Sequence, residues 1–466
     1  YAEQLFEGGV RIGFDNYDEY LSMPKRTTEA LAKGATTLFQ GRFEHEQLTF
    51  ICDVMCVVGN PADKLVDLIE IKSSTAAKLE HQLDLAFQVV VLEGCGYTVR
   101  NVSVVHVNND YERQGEVDIH GLTTTTDVTG EVKLKLEQTR RDIKAAVQVA
   151  QEATMPNPSP SRCRLGSISE WLGIYKGLDG IAIEEGSIYE LARIDPSLAG
   201  SLEDAGITKL SSIPLEIIKN DAQKRQLEAV RAGVPLVNKD KIKGFLDGLE
   251  YPVYFFDYET MASVVPYFDG MRPYAQYPFQ YSLHVITHPG AEVQHMGYLH
   301  SNNSNPAEEL SKTLREQIGD HGSVLTWYMA FEKSCNTTLG QMLPEFADFY
   351  VSLNKRVVDL MVPFSKGWYV DAGFGGSASI KKVLPVLVPE LSYKVLGIQE
   401  GGAAQRLWME SVLDGTRVDE KAKILSDLDE YCALDTLAMV EIYNFLVRLV
   451  GTSEPKAQPQ QLALDW

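Results

Sequence analysis

The sequence predicts an α/β protein in which two α/β domains are joined by a helical connector. Apolar, β-branched runs alternate with segments of helical periodicity up to about residue 165, and the same alternation returns from Tyr251. Between these regions the chain carries only short helical segments and turns. Its 466 residues are enough for two or three domains that each bury a core of their own.

The first domain is predicted to span residues 1–165. Its strand, strand, helix, strand order rests on four segments, at residues 48–58, 65–71, 78–93 and 99–107. A Gly-Asn-Pro turn at residues 59–61 separates the two strands, and glycines end the helix. A polar, proline-rich stretch near residue 158 favours a domain boundary there.

The rest of the chain is predicted to form a connector at residues 166–248, a second α/β domain at residues 249–451 and a disordered tail at residues 452–466. Within the connector, Leu202–Ile207 has the pattern of a helix-hairpin-helix, in which a Gly-Ile turn presents backbone N–H groups to a phosphate. The same residues also fit a plain helical connector. The second domain combines strand-like runs with two longer helical segments, around residues 332–350 and 422–450.

The chain is strongly acidic, with 43 Lys+Arg against 64 Asp+Glu and a formal charge of −21. This charge argues against binding to phosphate backbones through bulk electrostatics, but clustered carboxylates can still engage nucleic acid through bound cations. No run of about 18 apolar residues exists, so the sequence predicts no membrane span. The sequence shows no secretory leader and no secreted cysteine pattern, and both observations predict a cytoplasmic protein.

The first candidate site consists of Asp53, Glu70 and Lys72. Asp53 interrupts an apolar strand, and strand alternation puts Glu70 and Lys72 on one face of the next strand. Charged groups among apolar strands are costly unless they pair or hold a metal. Asp53 and Glu70 could ligate Mg²⁺, and Lys72 would then lie beside the nucleophilic water. The alternative is that all three are solvated residues on the open face of an edge sheet.

With the helix that carries Asp84 and Gln88, this region resembles the RecB-type nucleases of the PD-(D/E)XK superfamily, including the CRISPR-associated exonuclease. The resemblance covers roughly residues 30–165. It implies a restriction-endonuclease-like fold, Asp53 and Glu70 as catalytic metal ligands, Lys72 as a catalytic residue, and Gln88 as a support for the site and the substrate. Many such enzymes hold a four-cysteine iron–sulfur cluster, but here only Cys163 stands at the expected rear position, so we expect no cluster. This departure leaves open that the first site has lost its activity.

The second candidate site combines acids from distant parts of the chain. Asp257 and Glu259 share one face at the end of a buried strand, and Tyr431 and Asp435 share one face of a helix. Glu332 follows a further apolar strand. The four acids could converge on two divalent ions about 3.5–4 Å apart, with Tyr431 orienting the attacking water. The alternative is a set of ordinary strand-end acids and a surface pair on a helix.

This pattern resembles the DnaQ-like, or DEDD, 3′→5′ exonucleases of RNase H-type fold, in the subgroup with a tyrosine in the third motif. The resemblance implies catalytic roles for Asp257, Glu259, Tyr431 and Asp435. The second motif of the family is usually Asn-x-x-Phe-Asp. The corresponding segment of this chain has Glu332 in place of the final Asp. Asp359 is the rival acid for that position.

The whole order resembles a bacterial family that fuses a RecB-type module to a DnaQ-like module. The supporting segments are residues 257–260, 377–385 and 391–393. In this interpretation Lys381 and Lys382 contact the substrate backbone, although a solvated helix start explains them equally well.

The sequence therefore predicts a nuclease that depends on Mg²⁺ or Mn²⁺ and acts on DNA in repair or defence. The second domain would be a 3′→5′ exonuclease, and the first would hold a further nuclease site. Two alternatives stay open: a nucleic-acid-binding protein with one or both sites inactive, and an RNase.

Overall fold

The computed structural model describes residues 1–162, 168–178, 183–393 and 396–451. The predicted disordered tail and Cys163 lie outside these residues. The chain divides into two compact units. Unit 1 consists of Tyr1–Pro156 and Ala262–Ala275, and unit 2 consists of Asn157–Met261 and Gln276–Trp466. The residues of the predicted connector thus belong to unit 2.

Unit 1 is built on a six-stranded mixed sheet and a separate hairpin. Its strands are β1 (Val10–Arg11), β2 (Thr37–Phe39), β3 (Arg42–His45), β4 (Leu48–Ile51), β5 (Val54–Val57), β6 (Leu65–Ile71), β7 (Thr98–Val107) and β8 (Thr123–Asp127). Its helices are α1 (Tyr17–Ala32), α2 (Leu79–Gly94), α3 (Ile119–Leu122) and α4 (Thr129–Gln151). The sheet order is β1-β2-β5-β6-β7-β8, with β6 and β7 parallel, and β3 pairs with β4.

Helix α2 packs on this sheet because its apolar side chains repeat with helical spacing. Leu85, Val89 and Leu92 are buried in one core. Val66 and Leu68 of β6 belong to the same core and are fully buried, since alternate residues of a strand point to the same face. The packing of α2 on the sheet fixes the position of the end of β6, where Glu70 lies.

The predicted strand at residues 48–58 is divided in two. The chain bends at Cys52 and Asp53, between β4 of the hairpin and β5 of the main sheet. Ile71 donates its backbone N–H to Asp53 Oδ2 at 2.8 Å. The bend therefore holds the Asp53 carboxylate against the carboxyl end of β6.

Unit 2 is built on a five-stranded sheet with helices on both faces. The strands of the unit are β9 (Leu236–Val237), β10 (Val253–Met261), β11 (Tyr277–Ile286), β12 (Gln294–Leu299), β13 (Ser323–Thr326), β14 (Val357–Asp359) and β15 (Tyr369–Val370). β9 and β15 pair with each other outside the five-stranded sheet. Its helices are α5 (Ile168–Lys176), α6 (Pro196–Asp204), α7 (Asp221–Ala232), α8 (Lys239–Asp247), α9 (Ala307–Gln317), α10 (Met329–Met342), α11 (Ala347–Arg356), α12 (Val362–Ser365), α13 (Ile380–Leu387), α14 (Gly401–Trp408) and α15 (Lys421–Val450). The sheet order is β12-β11-β10-β13-β14, and β11 alone is antiparallel to the other four strands of this sheet.

The central strand β10 divides its side chains between two helical layers. Tyr254, Phe256 and Tyr258 pack in a core with residues of α9, α10 and α11. The intervening residues face the opposite layer, where the ring of Phe255 lies 5.4 Å from that of Tyr443 in α15. Asp257 and Glu259 have the same parity as Phe255, so the strand directs both carboxylates toward α15.

The residues of the predicted connector have a small core of their own, formed by Ile188, Leu202, Leu210 and Leu227 among others. After α6 the chain turns at Gly206, whose positive φ of 71° suits a residue without Cβ. Two three-residue 3₁₀ helices follow, at Leu210–Ser212 and Leu215–Ile217, and the next α-helix begins only at Asp221. The segment thus has a 3₁₀ turn where a helix-hairpin-helix would have its second α-helix.

These elements confirm the predicted α/β class, with mixed sheets in both units. Within the described ranges, no helix combines the length and the apolar character that crossing a bilayer requires.

Candidate metal centres

Unit 2 gathers acidic side chains around a cavity of about 350 Å³. Asp257, Glu259, Tyr431 and Asp435 all line it. Carboxylate oxygens of Asp257 and Glu259 and the Sγ of Cys432 lie within 4.8 Å of one another. Strand β10 supplies the first two residues, and α15 supplies the others by its i, i+4 spacing. The structure thus brings together residues that are more than 170 positions apart in sequence.

Glu332 joins this cluster from the first turn of α10. Its side chain is 1% exposed and lies within hydrogen-bonding reach of Asp257. Its Oε2 atom is buried and has no hydrogen-bond partner among the described residues. A buried carboxylate oxygen without a donor is costly, and a cation would satisfy it.

Asp359 has a different role. Its Oδ1 accepts the backbone N–H groups of Tyr328 at 3.1 Å and Met361 at 2.9 Å. Tyr328 has a positive φ of 76° at the start of α10, so Asp359 stabilises an unusual turn. Of the two rival acids, Glu332 lies within hydrogen-bonding reach of Asp257, and the charge of Asp359 helps to raise the pKa of Glu332.

Burial raises the pKa of every acid in the cluster, and repulsion by the other cluster acids adds to this at Asp257 and Glu259. Burial, then the charges of Asp435 and Glu332, raise the pKa of Asp257 well above its ordinary value. Burial and Asp435 raise the pKa of Glu259 to about 8, and burial raises that of Glu332 to about 8. Burial raises the pKa of Asp435 to about 6, although Tyr393 and Lys381 oppose the shift. Such a cluster holds protons at neutral pH unless cations replace them.

Two residues beside the acids come from the segment that follows β15. Tyr393 donates its hydroxyl to Asp435 Oδ1 at 2.6 Å. The Lys381 Nζ lies 5.7 Å from the ring centroids of both Tyr393 and Tyr431 and donates to the Gln399 carbonyl at 2.8 Å. Lys381 also lines the cavity, whereas Lys382 is exposed and does not line it.

Sequence reasoning missed the site positions of Tyr393 and Cys432. Tyr393 stood only as a mark of family resemblance, because it follows a polar turn without a helical or strand pattern. The cysteine pattern of the sequence gives Cys432 no site role. The available signal was its spacing, because Cys432 lies three residues before Asp435 on one helix and residues so spaced share a face.

Unit 1 brings its three predicted residues together at the carboxyl end of β6. The Lys72 Nζ lies 2.6 Å from Glu70 Oε1 and 3.2 Å from Asp84 Oδ2. The Gln88 Nε2 donates to Glu70 Oε2 at 3.1 Å. Asp53 is near enough to Glu70 for its charge to matter, since burial and then Asp53 raise the pKa of Glu70.

The remaining electrostatics of unit 1 follow from these contacts. Burial raises the pKa of Asp53, and the hydrogen bond from Ile71 and the charge of Lys72 oppose this. Burial alone would lower the pKa of Lys72, but hydrogen bonds to Glu70 and Asp84 outweigh it and raise the pKa. Lys72 is therefore a cation at neutral pH, held between carboxylates. The Gln88 Oε1 is buried without a partner among the described residues.

Both clusters offer donors that suit hard divalent cations, because carboxylate oxygens are the preferred ligands of Mg²⁺ and Mn²⁺. In unit 2 the unpartnered Glu332 oxygen and the raised pKa values fit a cation between the acids. In unit 1, Asp53 and Glu70 fit a single cation beside Lys72. Each α/β unit thus holds one cluster of carboxylates.

Residues 254–379 are similar to a domain of unknown function designated DUF2779. The match includes Asp257, Glu259 and Glu332 but ends before Tyr431 and Asp435. It does not extend into the N-terminal part of unit 1.

Three curated relatives are similar to part of the chain, and all are uncharacterized. Protein MG366 of Mycoplasma genitalium is 23% identical over 237 residues, which cover 46% of this chain and 35% of the relative. Protein UU173 of Ureaplasma parvum is 23% identical over 284 residues, covering 54% of this chain and 38% of the relative. The homolog of MG366 in Mycoplasma pneumoniae is 24% identical over 226 residues, covering 44% and 34%. The chain thus aligns with little more than a third of the length of these relatives, and no solved structure matches it.

Proposed function

We propose that this protein is a metal-dependent nuclease whose unit 2 is a DnaQ-like 3′→5′ exonuclease acting on DNA. The observation that carries the proposal is the convergence of Asp257, Glu259, Asp435 and Tyr431 around one cavity. Glu332 is buried beside them, within hydrogen-bonding reach of Asp257. The sheet topology supports an RNase H-like fold for unit 2, because the strand order is 3-2-1-4-5 with the second strand antiparallel.

The donor set supports a pair of Mg²⁺ or Mn²⁺ ions held by the four acids. When bound, such ions stabilise the charges on the attacking and leaving oxygens of a phosphodiester. Without them, four buried carboxylates would have to share protons, as the raised pKa values of Asp257 and Glu259 indicate.

The chain's own side chains orient the reactants. Burial, then the charge of Asp435, raise the pKa of Tyr431, so its hydroxyl stays protonated at neutral pH and can hold a water. The hydroxyl of Tyr393 donates to one oxygen of Asp435, and Tyr431 also hydrogen-bonds to this carboxylate, so both tyrosines orient it. Lys381 carries a positive charge beside the acids, where it can contact a substrate phosphate.

The size of the cavity favours a strand end over a duplex. A space of about 350 Å³ is within the range of small-ligand sites and accepts a nucleotide rather than a double helix. This property supports removal of terminal nucleotides, although DNA and RNA ends fit equally well.

The test is hydrolysis of a 5′-labelled DNA single strand by the full chain in Mg²⁺, in Mn²⁺ and in EDTA. We expect progressive shortening from the 3′ end that EDTA abolishes. Asp257→Asn should slow it at least about 100-fold, the scale on which loss of one transition-state-stabilising group acts. Asp240→Asn, an exposed acid on α8, is the control. Equal rates for Asp257→Asn and the native protein would refute the proposal, and a matched RNA strand decides between DNase and RNase.

We propose a second nuclease site of the RecB type in unit 1, with Asp53 and Glu70 as metal ligands and Lys72 as the catalytic cation. Its support is the cluster of these side chains with Gln88 at the end of β6. In the Asp257→Asn protein, we expect residual Mg²⁺-dependent cleavage that Lys72→Met removes. No cleavage in Asp257→Asn, with Mg²⁺-dependent strand binding retained, would favour the alternative that unit 1 only binds nucleic acid.

A further inference from the structure

A cavity of about 790 Å³ opens in unit 1 beside Lys72. One side is lined by the residues that follow β6, including Ser74 and Lys78. The other side is lined by Arg272 and Tyr274, which belong to the segment Ala262–Ala275. In sequence this segment follows β10, but it packs as part of unit 1.

The segment is held firmly by the loop that precedes α3. The Arg113 guanidinium donates to the carbonyls of Pro266 at 2.8 Å and Tyr267 at 2.6 Å. The backbone N–H of Arg113 donates to Met271 at 3.0 Å, and Gly270 donates back to Arg113 at 2.9 Å. The Met271 side chain is 2% exposed. These bonds make the segment a fixed wall of the cavity.

Arg272 presents a positioned cation to the cavity. Two of its N–H groups donate to one oxygen of Glu112, at 3.2 and 2.9 Å. Half of the Arg272 side chain stays exposed (53%), and Lys78 on the opposite side is similarly exposed (57%). Glu112 thus holds the guanidinium in place, and the positive charge at the edge of the cavity can attract a phosphate.

Tyr274 presents an aromatic ring at a strained position. Its φ of 60° is unusual for a residue with a side chain, and such strain is concentrated at functional sites. The Tyr274 hydroxyl donates to the carbonyl of Ser73, the residue directly after Lys72. The ring lines the cavity and remains 38% exposed, so a nucleobase can stack on it.

We infer that this cavity binds the end of a single nucleic-acid strand, with Arg272 and Lys78 on the phosphates and Tyr274 under a base. The inference rests on the proposed nuclease activity of unit 1 and adds the substrate contacts of that site. Glu80 and Asp110 also line the cavity, so three cationic residues are offset by two acids. Binding should therefore be weak and sensitive to salt.

The experiment measures binding of a fluorescein-labelled oligo(dT) strand to the full chain carrying Asp53→Asn and Asp257→Asn, in Ca²⁺, by fluorescence anisotropy. Arg272→Ala should raise Kd at least about fivefold and lower the salt dependence by about one phosphate contact. Arg272→Lys should recover only part of the affinity, since it keeps the charge but loses the pair of N–H groups through which Glu112 positions it. Arg100→Ala is the matched control, because Arg100 in β7 is an exposed arginine paired with Asp67 in the same unit.

A second measurement locates the strand. Photo-crosslinking of a strand with 5-iododeoxyuridine at its end should label Tyr274, and Tyr274→Phe should keep binding while Tyr274→Ala weakens it. Unchanged affinity in Arg272→Ala together with no label on Tyr274 would overturn the inference. Both measurements report binding and need no turnover. If Arg272→Ala weakens binding but the native chain cleaves nothing, the proposed function is refuted and this inference stands. If the native chain cleaves DNA but Arg272→Ala binds as well as the parent protein, this inference is refuted and the proposed function stands.

Discussion

Ionisation of the buried acids in unit 2 lowers the stability of the fold. Burial and Asp435 place the pKa of Glu259 near 8, above its ordinary value of 4.5. The folded state therefore binds a proton that the unfolded state releases between these two pH values. Stability from this group is present below pH 4.5 and is lost as the pH rises through 8.

Replacing Glu259 by Gln should remove this penalty in the absence of metal. We expect Glu259→Gln to gain stability relative to the native chain as the pH rises from 5 to 9, by at most about 1.4 kcal/mol per pH unit. The measurement is urea unfolding in EDTA at several pH values. Glu80→Gln, an exposed acid on α2, should show no such trend. A pH-independent difference between Glu259→Gln and the native chain would contradict the raised pKa.

At the scale of elements, β11 and α15 are joined by a buried polar contact with the opposite pH response. The Nδ1 of His284 in β11 lies 2.8 Å from the hydroxyl of Thr436 in α15, and the ring stacks on His295 in β12 at 4.4 Å. Burial, and then the charge of His295, lower the pKa of His284 to about 3. The His284 imidazole is therefore neutral in the folded protein at neutral pH.

Acid should weaken this contact between pH 6.5 and about 3. In that pH range His284 is protonated in the unfolded state but stays neutral in the folded state. The free energy of unfolding therefore decreases by about 1.4 kcal/mol for each pH unit of acidification because of this group. His284→Asn lacks this term, so its deficit in stability relative to the native chain should shrink on acidification from pH 7 to pH 4. Urea titrations at fixed pH measure it. A deficit that stays constant or grows would show that His284 titrates normally.

How far the elements could be predicted depends on how local their signals are. The helix predicted at residues 422–450 corresponds to α15. It could be predicted because its apolar residues repeat with helical spacing over consecutive turns. The strand predicted at residues 48–58 is split at Asp53, because hairpin and sheet compete there for the same apolar run. β9 and β15 were not predicted, since each has two residues and depends on its partner for hydrogen bonds.

The same reasoning applies to the candidate sites. Asp257 and Glu259, and likewise Tyr431 and Asp435, could be paired from strand and helix periodicity alone. Which of Glu332 and Asp359 lies against Asp257 could not be predicted, because it depends on which carboxylate accepts the backbone N–H of Tyr328. Arg272 and Tyr274 were out of reach, since no local pattern tells which sheet a loop will pack on.

At the scale of the whole molecule, a divalent cation should stabilise the fold most at alkaline pH. Protons and cations compete for the carboxylates of Asp257, Glu259 and Glu332, whose pKa values are all raised. We expect Mg²⁺ to raise the melting temperature of the native chain more at pH 8.5 than at pH 6. Asp257→Asn should reduce the increase. Calorimetric melts at the two pH values provide the measurement, and an equal shift at both would argue that Mg²⁺ acts elsewhere.

The position of Ala262–Ala275 within unit 1 has a consequence for biosynthesis. During translation the first 156 residues emerge before this segment exists, and synthesis must pass through Asn157–Met261 before it appears. The wall that carries Arg272 and Tyr274 can therefore be added only late, after β10 has left the ribosome. A chain truncated after residue 156 would therefore lack the segment that forms one wall of the cavity in unit 1. Splitting the gene between the two α/β regions would have the same effect.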